Sequence, residues 1–215
     1  TYLYCYSNQL TSLDVAANTA LTYLSCSTNQ LTYLNVANGT NTNINSFFSS
    51  GNPNLSCIEV DDAAYSAANW TNIDPASSFS EDCYTYVPDD NFENYLETHN
   101  AAGEPVDLGD GMGNGIANDN LVFTSKINTV TNLNIASLSI TDLTGIEGFT
   151  ALTELRCNSN QLTSLDVSAN TALTELYCYS NQLTSLDVAA NTALTRLWCS
   201  DNQLTSLDVA ANTAL

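Results

Sequence analysis

The chain has 215 residues, with Lys+Arg 3 against Asp+Glu 23, a formal net charge of -20, one His, seven Cys and 44% hydrophobic residues. Three cations, Lys126, Arg156 and Arg196, cannot neutralise a phosphate backbone, so nucleic acid is excluded and an anionic membrane surface is disfavoured. No apolar run reaches the ~18 residues a spanning helix needs, and the regular placement of Leu, Val, Ile, Phe and Tyr excludes a disordered acidic chain.

The chain opens with TYLYCYSNQLTSLDVAANTA from Thr1 and LTYLSCSTNQLTYLNVANGTN from Leu21. The same phrase returns three times from Leu152, as LTELRCNSNQLTSLDVSANTA, LTELYCYSNQLTSLDVAANTA and LTRLWCSDNQLTSLDVAANTA, with a period of 21 residues. Each copy follows LxxLxCxxNxLxxLxVxxN, as in Leu173, Leu176, Cys178, Asn181, Leu183, Leu186, Val188 and Asn191. Leu-x-Cys and Leu-x-Val alternate with period two and are too short and too Asn-broken for helices, so each reads as a short strand with its apolar side chains inward. A single coil cannot bury that face; stacked coils can, placing equivalent residues ~4.8 Å apart in columns.

The phrase resembles the leucine-rich repeat family, and within it the bacterial class with nested periodicity. The resemblance implies a right-handed solenoid of parallel strands. The expected fold is therefore mainly β with small α caps: a leucine-rich repeat solenoid with two short strands per 21-residue coil. Column logic assigns roles. Asn8, Asn29, Asn160, Asn181 and Asn202 turn the chain inward and satisfy backbone groups of their own and neighbouring coils. Cys5, Cys26, Cys157, Cys178 and Cys199 take the place of an inward Leu as small free hydrophobes, because stacked parallel side chains offer poor disulfide geometry. The column Asp14, Asp166, Asp187 and Asp208, interrupted by Asn35, faces solvent, where like charges repel; solubility is the preferred reading over weak divalent-cation binding.

After Val36 the phrase decays, although Ile44, Phe47, Ser49 and Asn52 keep it with two inserted residues. A short Ala-rich helix is expected over 61–70, with Asp61 and Asp62 at its N-terminus and Tyr65 and Trp70 covering the open core. Cys57 and Cys83 flank this segment outside the repeat column, and a disulfide between them would close a loop of about 25 residues in an oxidising compartment. Pro88, Asp90 and Glu93 then predict a capped helix over 90–99, with Phe92, Tyr95 and Leu96 on one face. A Gly/Asp/Asn loop, 103–120, precedes the apolar pairs that lead into the first full repeat.

The block 86–150, with Asp142-Leu-Thr-Gly-Ile-Glu147, resembles the N-terminal cap of secreted leucine-rich repeat proteins of Bacteroidota and, more distantly, the internalin cap. That resemblance implies export to the cell exterior or surface. The organisation that follows is 1–41 as the last two repeats of a solenoid, 42–83 as its C-terminal cap, 84–149 as the N-terminal cap of the next solenoid, and 150–215 as its first three repeats. Leu165, Leu186 and Leu207 predict a leucine at 228, which is 13 beyond residue 215, and Leu13 is there; the next position maps onto Leu34. The last repeat is thus in register to continue into residue 1 of a following unit, and copies of the chain joined end to end are the expected partner.

Chemistry is sparse. His99 has no partner motif, and nothing resembles a nucleophile elbow, a zinc-protease motif or a phosphate loop, so no enzyme and no cofactor are expected. Asp107, Asp110, Asn114 and Asp119 invite a weak calcium site, set against a solvated Gly-rich loop; as an EF-hand the spacing fails, with Met112 and Leu121 where carboxylates belong. The outward positions beside Leu-x-Cys vary and gather aromatics: Tyr2, Tyr4, Tyr6, Tyr23, Tyr177, Tyr179 and Trp198, with Arg156 and Arg196. Rigid Tyr and Trp suit contact with a protein or glycan, although aromatic ladders also stabilise sheets. Two functions follow: a structural bead in a cell-surface fibre or adhesin stalk, or a discrete secreted recognition domain using the Tyr/Trp face.

Overall fold

The computed structural model describes residues 1–215, which divide into two compact units, Thr1–Cys83 and Tyr84–Leu215. In Thr1–Cys83 the strands are β1 (Tyr2–Tyr4), β2 (Ser12–Asp14), β3 (Tyr23–Ser25), β4 (Tyr33–Asn35), β5 (Ser46–Phe48), β6 (Cys57–Glu59) and β7 (Ser78–Ser80), with helix α1 (Ala63–Asn69) between the last two. They form two parallel sheets, β1-β3-β5 and β2-β4-β6-β7. Leu3 pairs with Leu24 and Leu13 with Leu34, so the side chains of one column come from equivalent places in successive coils. Leu24, Cys26, Leu31, Leu34, Val36, Ile44, Phe47 and Ile58 fill the space between the sheets.

The end of this core is closed as the sequence predicts. Asp62 caps α1 by accepting from Tyr65 N at 2.8 Å. Trp70 is buried, stacks on Phe47 at 4.4 Å and donates Nε1–H to Ile44 O at 3.2 Å. Half-buried Tyr65 meets Trp70 edge-on at 6.4 Å. The disulfide Cys57–Cys83 is present, with a sequence separation of 26. Constraining a loop of that length stabilises the folded state by about 3 kcal/mol in the chain-entropy model. A reducing agent is therefore expected to lower the urea midpoint of this unit; an unchanged midpoint would contradict the assignment.

In Tyr84–Leu215, β8 (Tyr84–Tyr86) pairs antiparallel with β9 (Leu121–Phe123), and helices α2 (Asp90–Thr98) and α3 (Thr124–Ile127) complete the block that begins the solenoid. The strands β10 (Asn132–Asn134), β11 (Glu154–Arg156), β12 (Glu175–Tyr177) and β13 (Arg196–Trp198) follow as one parallel sheet. A single core runs from Val87, Phe92 and Leu96 through Leu155, Leu176 and Val188 to Leu194.

Two expectations need correction in this unit. The helix cap is Asp89 rather than Asp90: extended backbone after Pro88 aims the Asp89 carboxylate at Asn91 N and Phe92 N, and its other oxygen accepts from Thr141 N, Thr141 Oγ1 and Asp142 N. Glu93 consequently makes no capping box. The second strand of each coil, formed in Thr1–Cys83, shrinks here to a bridge between Asp166 and Asp187. Grooves of about 300 to 450 Å³ open between these coils, lined by Ser164, Asp166, Ser185 and Asp187.

The Asn columns act as expected. Asn181 Nδ2–H donates to Cys157 O at 3.0 Å in the preceding coil and to Cys178 O at 3.1 Å in its own, while its Oδ1 accepts from Leu162 N at 3.1 Å. Asn29, Asn160 and Asn202 repeat the pattern, and a second column, Asn170, Asn191 and Asn212, donates to carbonyls of the coil before. The residue ahead of each Asn in the first column is left-handed, at Ser7, Thr28, Ser159, Ser180 and Asp201 with φ of 51 to 58. Glycine takes that place only at Gly51, in the decayed coil. The aspartates have a role the sequence reading missed: Asp14, Asp166, Asp187 and Asp208 each accept the backbone N–H two residues on at 2.8 to 2.9 Å, and Asn35 does the same. They are turn formers, and the amide suffices where the charge is absent.

Candidate functional site

In Thr1–Cys83 the outward positions of β1, β3 and β5 build an aromatic surface. Tyr2 is 72% exposed and Tyr4 59%. Tyr4 lies 4.7 Å from Tyr23, Tyr2 lies 5.8 Å from Tyr23, and Tyr23 lies 5.7 Å from Phe48. Period-two alternation about an inward leucine explains the placement: Tyr2 and Tyr4 flank Leu3, and Tyr23 flanks Leu24. Tyr6 is exposed in the turn that follows. The sequence reading misses Phe48 although it places Phe47 with Leu24; the outward neighbour of Phe47, paired with Ser25, follows from that alignment.

In Tyr84–Leu215 the equivalent surface is more polar. Trp198 is 57% exposed and lies 5.2 Å from Tyr177 and 6.2 Å from Tyr179. Tyr177 is buried, contrary to an outward contact residue, because its ring lies beneath the Arg156 guanidinium at 4.6 Å and its hydroxyl donates to Glu175 Oε2 at 2.6 Å. The Tyr177 hydroxyl first, then the Arg196 charge, lower the pKa of the Glu175 carboxyl. Both arginines are engaged along the sheet, Arg156 with Glu154 and Arg196 with Glu175 at 3.0 Å. Exposed pairs of this kind contribute little stability, but they fix the direction of the side chains around Trp198.

The residues that invite a calcium reading do not gather into a cluster of acidic side chains. No group of three or more carboxylate, histidine or thiol side chains is placed to hold a metal. Asp107 and Asp110 are exposed, Asn114 Nδ2–H donates to Asp119 Oδ2 at 2.9 Å, and Asp119 Oδ1 accepts from Leu121 N at 3.0 Å. The loop is stitched to α2 by two glutamates, Glu93, read from the sequence as a capping-box residue, and Glu97, which the sequence reading left out. Glu97 accepts from Asn114 N at 2.6 Å and Gly115 N at 2.8 Å; Glu93 accepts from Asp119 N at 3.0 Å and Asn120 N at 3.1 Å. Both are fully buried or nearly so. Gly113 permits the approach, since a Cβ there would stand 1.9 Å from Glu97 Oε1.

Burial pushes the Glu93 carboxyl up to about 7, against the two backbone N–H donors that hold it down; burial raises Glu97 as well. Asp89 moves the other way, because the bonds from Thr141, Phe92 and Asp142 outweigh its desolvation. The signs are opposite. A raised carboxyl stabilises the fold fully below its ordinary value of 4.5, and that contribution is lost as pH rises through about 7. The Asp89 contribution is present above its ordinary 3.8 and lost in acid below it. The urea midpoint of Tyr84–Leu215 is therefore expected to fall between about pH 5 and pH 8, with Glu93→Gln flattening that decline. A midpoint that rises over this interval would refute the assignment.

The repeat cysteines are free thiols; Cys26, Cys157 and Cys178 are buried, and Cys5 and Cys199 are half-buried. Burial raises the Cys26 and Cys178 thiols to about 12, which makes them unreactive hydrophobes. His99 ends α2, stacks on Tyr95 at 4.1 Å and bonds through Nδ1 with Tyr95 O at 3.1 Å, a structural arrangement. No helix is long and apolar enough to cross a membrane.

The architecture defines a leucine-rich repeat solenoid of short parallel strands with small helical caps. A family model of two leucine-rich repeat copies matches residues 171–212. Among solved structures, the functional domain of InlJ from Listeria monocytogenes, described as including a cysteine ladder, is 39% identical with a TM-score of 0.51. That match covers 62% of this chain and 28% of the InlJ domain, so the chain spans little more than a quarter of that relative's length. Internalin C2 of the same organism is 18% identical over 99% of this chain and 77% of its own, with a TM-score of 0.39. No curated protein matches the sequence.

Proposed function

We propose that the chain is one period of a head-to-tail array of capped leucine-rich repeat beads, a non-enzymatic fibre or adhesin stalk at a cell surface. The observation that carries this reading is the register: the step of 21 residues that links Leu165, Leu186 and Leu207 reaches Leu13 and Leu34 when residue 1 follows residue 215. The disulfide supports an extracellular location, because such bonds persist in oxidising compartments. The experiment is an intact mass of the protein isolated from its source. An array gives a multiple of the 23.1 kDa period plus its terminal segments; a mass that fits a single solenoid contradicts it.

The exposure of Tyr2, Tyr4 and Trp198 favours a second reading, a recognition domain that binds a surface protein or glycan through this face. Replacing Tyr4 and Trp198 together by Ala is expected to abolish adhesion of cells displaying the protein while leaving its circular dichroism unchanged. Full adhesion by a folded variant would leave the scaffold role alone.

A further inference from the structure

Tyr177 and Tyr4 hold the same place in their repeats, after the inward leucine and before the cysteine, but they meet different chemistry. In Tyr84–Leu215 the pairing of Arg156 with Tyr177 across adjoining strands lays the guanidinium over the Tyr177 ring, 4.6 Å from its centroid. In Thr1–Cys83 the same column runs Tyr4, Ser25, Phe48, and the column beside it runs Tyr2, Tyr23, Ser46. None of these residues is charged. Tyr23, on the middle strand of the sheet, gathers the rings: Tyr4, Phe48 and Tyr2 lie 4.7, 5.7 and 5.8 Å from it. Ser25, between Tyr4 and Phe48, is buried.

A ring face attracts a cation within ~6 Å of its centroid, so rings packed this closely can share one. Thr1–Cys83 has no cationic side chain of its own to place there: its charged side chains are all Asp or Glu, and Lys126, Arg156, Arg196 and His99 lie beyond it. The field of such a unit draws in positive partners and turns away anionic ones. We propose that the rings around Tyr23 bind an arginine side chain on a basic segment of a partner protein, its guanidinium lying over them as Arg156 lies over Tyr177. The inference rests on the recognition reading and names the partner's chemistry. Guanidinium suits the rings better than ammonium, because it is planar and weakly hydrated. A sugar suits them less well: beyond the phenol groups, the outward positions offer only Ser46 to fix its hydroxyls, since Ser25 is buried.

The test titrates the full chain with two short labelled peptides that are identical except that one carries arginines and the other neutral citrullines, read by fluorescence anisotropy. The arginine peptide is expected to bind, and the citrulline peptide to bind about tenfold more weakly, because only the charge differs. Tyr23→Leu should weaken the arginine peptide by a similar factor, whereas Tyr23→Phe, which keeps the ring, should stay within about twofold of the parent. Tyr4→Leu, at an exposed position that folding does not depend on, reads the same ring contact should Tyr23→Leu misfold. Equal binding of the two peptides would overturn the cationic partner and leave the recognition reading standing. Full arginine-peptide binding by folded Leu variants would overturn the site, leaving only diffuse attraction to an acidic protein. Binding of neither peptide would overturn the inference as well, and the adhesion of the Tyr4 and Trp198 double variant decides the recognition reading separately.

Discussion

Replacing Asn181 by Ala is expected to lower the stability of Tyr84–Leu215 by about 3 kcal/mol, since a buried polar group stripped of its only partner costs about 1 to 3 kcal/mol and each other hydrogen bond lost about 0.5 to 1.5 kcal/mol. Leu162 N loses its partner outright, while Cys157 O and Cys178 O each lose one of two amide donors and keep those of Asn160 and Asn202. Water cannot reach them, because Asn181, Leu162 and both cysteines are buried. Asn8→Ala is the internal comparison. Its amide is exposed and bonds within its own coil, so its replacement should cost under about 1 kcal/mol. Urea titrations of both variants decide the matter: equal midpoint shifts would mean that the column is not what couples the coils.

Trp70→Ala should be as damaging to Thr1–Cys83. The ring is the lid on this core, packed on Phe47 at 4.4 Å and Phe79 at 5.8 Å, and truncating a buried Trp typically costs about 3 to 5 kcal/mol. The Nε1–H bond to Ile44 O, at the start of the decayed coil, goes with it. Trp70→Phe keeps most of the apolar contact and should recover more than half of the loss. A Trp70→Ala protein as stable as the parent would show that the core ends without a cap.

Leu176, Cys178 and Asn181 show how much was legible in the sequence. Their spacing gives the strand, the inward column and the turn, because five copies in phase exclude helical periodicity and each position has one chemical demand. The caps were legible where a single residue type dictates geometry, as with Pro88 before α2 and the cysteine pair outside the column. The missed features depend on neighbours distant in sequence. Asp89 becomes the cap because Thr141 and Asp142 also need its carboxylate, and no local pattern separates it from Asp90. Glu93 and Glu97 follow Phe92 and Leu96 on α2, and nothing local tells that a glycine loop folds over them. Tyr177 reads as an exposed contact, yet Arg156 and Glu175 of adjoining positions enclose it.

Reordering the chain so that residues 84–215 run directly into residues 1–83 tests the uninterrupted coil stack most directly. With Leu215 bonded to Thr1, denaturant unfolding followed by circular dichroism should show one cooperative transition for a five-repeat solenoid, at a midpoint above both transitions of the original order. Two separate transitions at the original midpoints would mean that the matching phase of the two ends builds no common core.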